Sequence, residues 1–158
     1  MISEKWDQRF ILLADHIATW SKDPRVKVGA IIVNPENLAV VSTGFNGFPR
    51  GVREEPAHRW TVERKSIFTE HAERNAIYNA ARLGARTEGC CMYLNWSIIN
   101  ICVECARAII QAGIVEIIGS TLVMPPKEDD RAQSWRDVAE EAPIMMGESG
   151  MILRTVKT

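Results

Sequence analysis

Two short segments of the sequence carry side chains of the kinds that bind metal ions: residues 71–73 (His-Ala-Glu) and residues 102–105 (Cys-Val-Glu-Cys). Cys102 and Cys105 are three residues apart, so a helix that begins there places both sulfurs on one face of its first turn. His71 supplies a third ligand from another helix. Because zinc prefers imidazole and thiolate ligands, we predict that these three side chains bind one Zn²⁺ ion.

Such a site favours catalysis over a purely structural role. Three protein ligands leave a fourth coordination position for water, whereas structural zinc sites are closed by four protein ligands. One imidazole and two thiolates also give a formally neutral site, and the N-terminus of each predicted helix favours thiolate over thiol. Bound zinc lowers the pKa of water from about 15.7 to about 7, which creates a nucleophile at neutral pH. The pattern therefore predicts a zinc-dependent hydrolase.

Glu73 is the predicted general acid and base. It follows His71 by two positions, so on a regular helix it does not share the direction of the ligand. We interpret it as a proton shuttle beside the metal, not as a ligand. A C-x-x-C pair alone is more typical of a redox pair or of half a structural zinc site, and H-x-E alone is weaker still. Their combination at two predicted helix starts favours the catalytic interpretation.

The elements that position these side chains follow from the spacing of apolar residues. Helices are predicted over residues 3–20, 70–83, 102–112 and 131–146, and strands over 28–33, 38–43, 90–94, 114–118 and 151–156. Residues 53–69 carry no pattern that assigns them. Helices alternating with buried strands predict a three-layer α/β/α fold. Its five-stranded mixed sheet begins with an antiparallel hairpin, and residues 1–158 form a single domain.

Charge and composition narrow the class of substrate. The formal net charge of −1 shows no basic excess of the kind that nucleic-acid-binding proteins carry, so a small-molecule substrate is favoured. The apolar runs are too short to span a bilayer, and no signal-peptide pattern follows Met1, so we expect no membrane association and a cytoplasmic location. Cys90 and Cys91 lie in an apolar stretch, which predicts a buried strand rather than ligands.

At these residues the chain resembles the cytidine deaminase superfamily, and within it the deoxycytidylate deaminases. H-x-E followed by C-x-x-C is a known signature of zinc deaminases. The resemblance covers nearly the whole chain, through residues 21–24 (SKDP), 27–30 (KVGA), 43–49 (TGFNGFP), 71–82 (HAERNAIYNAAR) and 105–114 (CARAIIQAGI). It implies a cytidine-deaminase-like fold, Zn²⁺ as cofactor, and hydrolysis of dCMP to dUMP and ammonia. Glu73 would then pass a proton to a ring nitrogen of the base and later to the leaving ammonia.

The resemblance also implies substrate contacts. Asn46 matches an asparagine that holds the sugar and base, and Ala72 matches a position that presents backbone atoms to the base. Arg25 and Lys27 are candidates for binding the 5′-phosphate, and solvated loop charges are the equally weighted alternative. Trp96, just before the cysteine pair, is a candidate wall of the base pocket.

Two departures from the family pattern bear on substrate and control. Ile101 stands where proline usually precedes the first cysteine, and the stretch 95–101 is longer than the family's loop. Phe45 replaces the usual tyrosine of the glycine-rich loop, where nucleoside triphosphates regulate some family members. Many members assemble as homo-oligomers, often hexamers, and we expect a homo-oligomer here.

Three interpretations therefore remain open. The leading one is deamination of dCMP, and the second is deamination of another nucleoside, a free base or a tRNA base. The third is a zinc-stabilised assembly module without catalysis. Glu73 argues against the third, because a structural zinc site does not need it, and the lack of a basic excess argues against tRNA.

Overall fold

Helices and strands alternate in the computed structural model, which describes residues 2–121 and 141–157. The helices are α1 (Glu4–Ala18), α2 (Val62–Phe68), α3 (Ala72–Leu83), α4 (Val103–Gln111) and α5 (Glu141–Glu148). The strands are β1 (Gly29–Val33), β2 (Val40–Phe45), β3 (Cys91–Leu94), β4 (Glu116–Ser120) and β5 (Ile152–Val156). Two short 3₁₀ helices cover Ala57–Trp60 and Ile98–Asn100.

The sheet is mixed, in the order β2-β1-β3-β4-β5. β1 runs antiparallel to both of its neighbours, while β3, β4 and β5 are parallel to one another. The predicted antiparallel hairpin is therefore confirmed. Because β1 is antiparallel to β2 and β3, its first residue lies at the edge of the sheet where those two strands end. That edge is where the chain also enters α4.

Helices cover both faces of the sheet, which confirms the three-layer arrangement. Phe10, Ile11 and Ala14 of α1 pack with Ile31 and Tyr93 on one face. On the other face, α3, α4 and α5 contribute to a second buried cluster that includes the residues Ala76, Ile109, Met146, Met92 and Ile117. All five residues of β1 are buried, as expected for a central strand covered on both sides.

Most predicted elements are confirmed with boundaries shifted by one or two residues. β2 ends at Phe45, not at residue 43, because Gly44 and Phe45 continue the ladder with Ala30 and Gly29. α2 was not predicted, because it lies in the stretch that carried no assignable pattern. The helix predicted over 131–146 is confirmed in its described part, Glu141–Glu148, and residues 131–140 lie outside the described residues.

A buried polar network joins α1 to three strands. Asp7 is 1% exposed and accepts hydrogen bonds from the hydroxyl of Tyr93 at 2.6 Å and from Nη1 of Arg154 at 2.7 Å. Arg154 also forms an ion pair with Glu116, and the thiol of Cys91 lies 3.4 Å from Oε2 of Glu116. Cys90 and Cys91 are both buried, as predicted. Within the described ranges, none of the helices is long and apolar enough to cross a membrane.

Candidate active site

Two helix starts bring the predicted metal ligands together at one edge of the sheet. His71 is the N-cap residue of α3, and Cys102 is the N-cap residue of α4. Both residues have extended backbone conformations, which turn the chain into each helix. The Sγ atom of Cys102 accepts a hydrogen bond from the backbone N–H of Cys105 at 3.4 Å. The positive ends of two helix dipoles therefore meet at this cluster, where they stabilise thiolate.

The three donor atoms have the spacing that a zinc ion requires. Nδ1 of His71 lies 3.4 Å from Sγ of Cys102 and 3.4 Å from Sγ of Cys105. All three atoms lie within 4.8 Å of one another. In a tetrahedral site, bonds of about 2.3 Å to sulfur and about 2.0 Å to nitrogen place those ligand atoms about 3.5 Å apart. The donor set and its spacing therefore fit Zn²⁺ held by three protein ligands.

The two thiols and the imidazole of His71 shift one another's pKa. A hydrogen bond from Cys105 lowers the pKa of Cys102 to about 4, although burial opposes this shift. That same hydrogen bond, together with burial, raises the pKa of Cys105. The bond to Cys102 also raises the pKa of His71, against the effect of its burial. A cation with two positive charges takes the place of the protons held in this cluster, so metal binding releases protons.

Glu73 lies beside the donors and outside their cluster. It belongs to the first turn of α3 and is only 5% exposed. Burial raises the pKa of its carboxyl group, and the charge of His71 partly opposes the rise. A carboxyl group with a raised pKa holds a proton more readily, which suits a group that both accepts and returns one. The structure thus provides a buried acid–base group next to the three donors.

Arg74 links the first turns of the two site helices. Its guanidinium pairs with Glu70 just before α3 and lies 3.7 Å from the carboxylate of Glu104 in α4. Nothing in the sequence pattern singled out this arginine. Its i−4 spacing from Glu70 is the only local signal.

Ile101 replaces the proline of the family pattern without disturbing the metal cluster. Its φ angle is −71°, within the range of about −65 ± 15° that a proline ring imposes. Its N–H donates to the carbonyl of Ile98 at 3.3 Å, a bond that proline cannot make, and its side chain is fully buried. The loop before Cys102 is therefore ordered by the 3₁₀ helix Ile98–Asn100.

The predicted substrate residues lie at the same edge of the sheet but differ in what they contact. Ala72 is fully buried as the first residue of α3. Trp96 is half-buried and packs against the cluster that contains Ala72 and Cys105. Arg25 and Lys27 are exposed, and neither side chain forms an ion pair with a residue in the described ranges.

Asn46 is occupied by bonds within the chain. Its Oδ1 accepts from the N–H of Val28 at 2.8 Å, and its Nδ2 donates to the carbonyl of Val26 at 2.8 Å and to Asp23 at 3.2 Å. Asp23 is fully buried and also pairs with Lys65 of α2. In this geometry Asn46 shapes the segment that leads into β1.

Comparison with known proteins identifies the family of this chain. Residues 4–121 match the sequence model described as the cytidine and deoxycytidylate deaminase zinc-binding region. The chain belongs to this deaminase family. Its cofactor is therefore zinc, in agreement with the His and Cys donors that the structure brings together.

Relatives within the deaminase family cover different shares of the chain. An "uncharacterized deaminase in luxG 3′ region" of Aliivibrio fischeri is 37% identical over 151 residues, which are 96% of this chain and 92% of the relative. The deoxycytidylate deaminase of Mus musculus is 41% identical over 119 residues, 72% of this chain and 64% of the mouse protein. The human deoxycytidylate deaminase is 40% identical over the same share. The matched region thus spans less than two thirds of these two mammalian deaminases.

Solved structures confirm the fold of this chain. The dCMP deaminase of cyanophage S-TIM5, in complex with dCMP and dUMP, superimposes with a TM-score of 0.74. The superposition covers 99% of this chain and all of the phage chain, at 21% sequence identity. At this identity the likeness establishes the cytidine-deaminase-like fold.

Proposed function

We propose that this protein catalyses the hydrolytic deamination of dCMP to dUMP and ammonia. The observation that carries the proposal is the buried carboxyl group of Glu73 beside the three donors of His71, Cys102 and Cys105. Support for the substrate comes from the relatives, since the mouse and human proteins that are about 40% identical are deoxycytidylate deaminases.

Each residue of the site has a distinct task in this reaction. His71, Cys102 and Cys105 would hold the zinc ion. Zinc would act there as a Lewis acid that makes water a nucleophile at neutral pH. The carboxylate of Glu73 accepts a proton from the attacking water and delivers it to the N3 ring nitrogen of cytosine. Glu73 then moves a second proton to the amino group, which leaves as ammonia, so one water is consumed for each dUMP formed.

The nucleotide's phosphate needs cationic donors. Two side chains that form no ion pair with residues 2–121 or 141–157 lie at the active-site edge of the sheet. Arg25 and Lys27 precede β1, where β2 and β3 end and where α4 begins. Ligands of open α/β sheets bind at the carboxyl ends of strands. We assign the 5′-phosphate to these two side chains, and we propose that the base binds beside Ala72 and Trp96.

We propose that residues 1–158 act as one domain, as a homo-oligomer in the cytoplasm, on a free nucleotide and not on nucleic acid. The net charge of −1 supports the choice of a small substrate. The four cysteines are unpaired, which fits a reducing compartment. Light scattering in solution measures the assembly directly, and a mass of one chain would contradict the homo-oligomer.

An ammonia-release screen tests the reaction and the substrate together. Cytosine, adenine and guanine compounds are compared as free base, nucleoside, monophosphate and triphosphate with the zinc-loaded protein. We expect the highest kcat/KM for dCMP. A preference for an adenine or guanine compound, or equal rates with and without phosphate, would overturn the assignment of dCMP. Release of no ammonia from any of them would leave the non-catalytic assembly module as the explanation.

A further inference from the structure

The chain that enters β1 is bound by side chains where strand partners would otherwise lie. β1 begins at Gly29, and residues 26–28 extend it toward the active-site edge. Asn46 follows β2 directly, and Asn95 follows β3 directly, so the two asparagines flank this extension on opposite sides. Both are 6% exposed. Their backbone N–H groups continue the sheet by donating to the carbonyls of Val28, at 3.1 Å, and Gly29, at 3.3 Å, and their side-chain amides add further bonds to the same segment.

Each asparagine binds alternate backbone groups of the extension. Asn46 accepts from the N–H of Val28 and donates to the carbonyl of Val26, both at 2.8 Å. Asn95 accepts from the N–H of Gly29 at 2.8 Å, and its Nδ2 lies 3.4 Å from the carbonyl oxygen of Lys27. Four consecutive residues are therefore held from both sides by two amides.

The contacts fix the orientation of the Asn95 amide. Its oxygen must face the N–H of Gly29, and its NH₂ group then faces the carbonyl of Lys27 and, at 3.3 Å, the carboxylate of Asp15. An amide is the side chain of this size that offers a donor and an acceptor at once. Neither the metal cluster nor the acid–base role of Glu73 requires these contacts.

We propose that Asn95 is a positioning residue for the substrate's 5′-phosphate and acts through Lys27. This inference rests on the proposed function. Asn95 binds the carbonyl of Lys27 itself, whereas the backbone N–H of Arg25 is held by Asp23 at 2.9 Å. Holding Lys27 in place lowers the entropy lost when its ammonium group meets a phosphate. Asn95 therefore sets affinity for the phosphorylated substrate and leaves the chemistry at the base unchanged.

The test compares dCMP with deoxycytidine in Asn95→Ala and Asn95→Asp. Asn95→Asp keeps the acceptor for Gly29 and the volume of the side chain, and it replaces the donor with an oxygen that faces the carbonyl of Lys27 and the carboxylate of Asp15. We expect the KM for dCMP to rise about tenfold in each. The kcat for dCMP, the KM for deoxycytidine and the zinc content should stay near the wild-type values. Asn34→Ala is the matched control, because Asn34 follows the opposite end of β1 and its side chain accepts a hydrogen bond from the backbone N–H of Glu36 in an exposed turn.

A double-mutant cycle with Lys27→Ala distinguishes positioning from general structure. If Asn95 acts through Lys27, adding Asn95→Asp to Lys27→Ala changes the KM for dCMP little further. Fully additive effects, or equal effects on dCMP and deoxycytidine, would overturn the inference. If the wild-type protein does not deaminate dCMP, the proposed function fails by itself. The amide hydrogen exchange of Gly29 then still tests whether Asn95 holds the segment that leads into β1. We expect faster exchange in Asn95→Ala than in Asn34→Ala, and equal rates would refute this.

Discussion

A Cβ atom on Gly44 would lie 2.4 Å from the carbonyl oxygen of Ala72. It would also lie 2.3 Å from the backbone nitrogen of Ala76, so β2 and α3 touch backbone to backbone at this glycine. Ala72 lies between His71 and Glu73, the proposed zinc ligand and the proposed acid–base group. The absence of a side chain at position 44 therefore sets how deeply the start of α3, and the chemistry on it, lies against the sheet.

Gly44→Ala should move α3 away from the sheet and weaken the active site. Overpacking of this kind costs about 1–3 kcal/mol, and backbone atoms yield less readily than side chains. We expect a lower free energy of unfolding in urea together with a reduced kcat. Gly147→Ala is the matched control, because a Cβ there meets nothing within 4 Å. Alanine in that exposed helical position should stabilise by about 0.5–1 kcal/mol. Equal stability of the two variants would contradict this account of Gly44.

Zinc binding should depend on Cys105 and not on Cys90. Cys105→Ser removes a donor that lies 3.4 Å from Nδ1 of His71. We expect metal analysis to find about one zinc per chain in the wild-type protein and far less in Cys105→Ser. Cys90→Ser is the matched substitution, since the buried thiol of Cys90 donates to the carbonyl of Arg86, at 3.7 Å, and does not belong to the donor cluster. Loss of zinc from Cys90→Ser, or full zinc in Cys105→Ser, would contradict the ligand set.

The two exposed cations before β1 should distinguish a nucleotide from a nucleoside. Arg25→Ala and Lys27→Ala each remove a charge-assisted contact to phosphate, which is worth about tenfold in affinity. We expect the KM for dCMP to rise and the KM for deoxycytidine to stay unchanged. Steady-state kinetics with both substrates measure this difference, and parallel changes would show that neither side chain binds the phosphate.

Alkaline pH should destabilise the fold through Cys91. Burial raises the pKa of its thiol from 9.0 to about 12 in the folded state. The unfolded chain therefore loses this proton first as the pH rises, so the thiol's contribution is complete below pH 9 and is lost between about 9 and 12. Cys91→Ala should show a smaller fall in the free energy of unfolding across that window. Urea titrations of zinc-saturated protein at several pH values measure this difference. Identical slopes of the free energy of unfolding against pH in the wild type and Cys91→Ala would contradict the prediction.

The metal cluster could be predicted from the sequence because its residues lie in local patterns. His71 and Cys102 are the N-cap residues of two helices with regular apolar spacing, and Cys105 lies in the first turn of the second. Gly84 ends α3 with a φ angle of 66°. A helix of known start and period fixes the direction of its first side chains. The two helix starts that carry these ligands, and the antiparallel hairpin, therefore needed no long-range information.

The support around the site could not be predicted, because it depends on contacts between distant residues. α2 is short and polar, and it is held by the Lys65 ion pair with Asp23 and by Phe68 stacked near Phe48. The role of Asn95 depends on the strand order, which places it opposite Asn46 across β1. The one local signal was an asparagine directly after a buried strand, and asparagine is common in the turns that follow strands.

Turnover and zinc content measured together on Glu73→Gln test the account most directly. The amide keeps the size of the carboxyl group and cannot carry the proton. We predict about one zinc per chain in both proteins, with equal amounts of dUMP and ammonia formed from dCMP by the wild type. Turnover in Glu73→Gln should fall by a factor of about 10²–10⁴. Wild-type turnover in zinc-loaded Glu73→Gln, or no dUMP from the zinc-loaded wild type, would contradict the account.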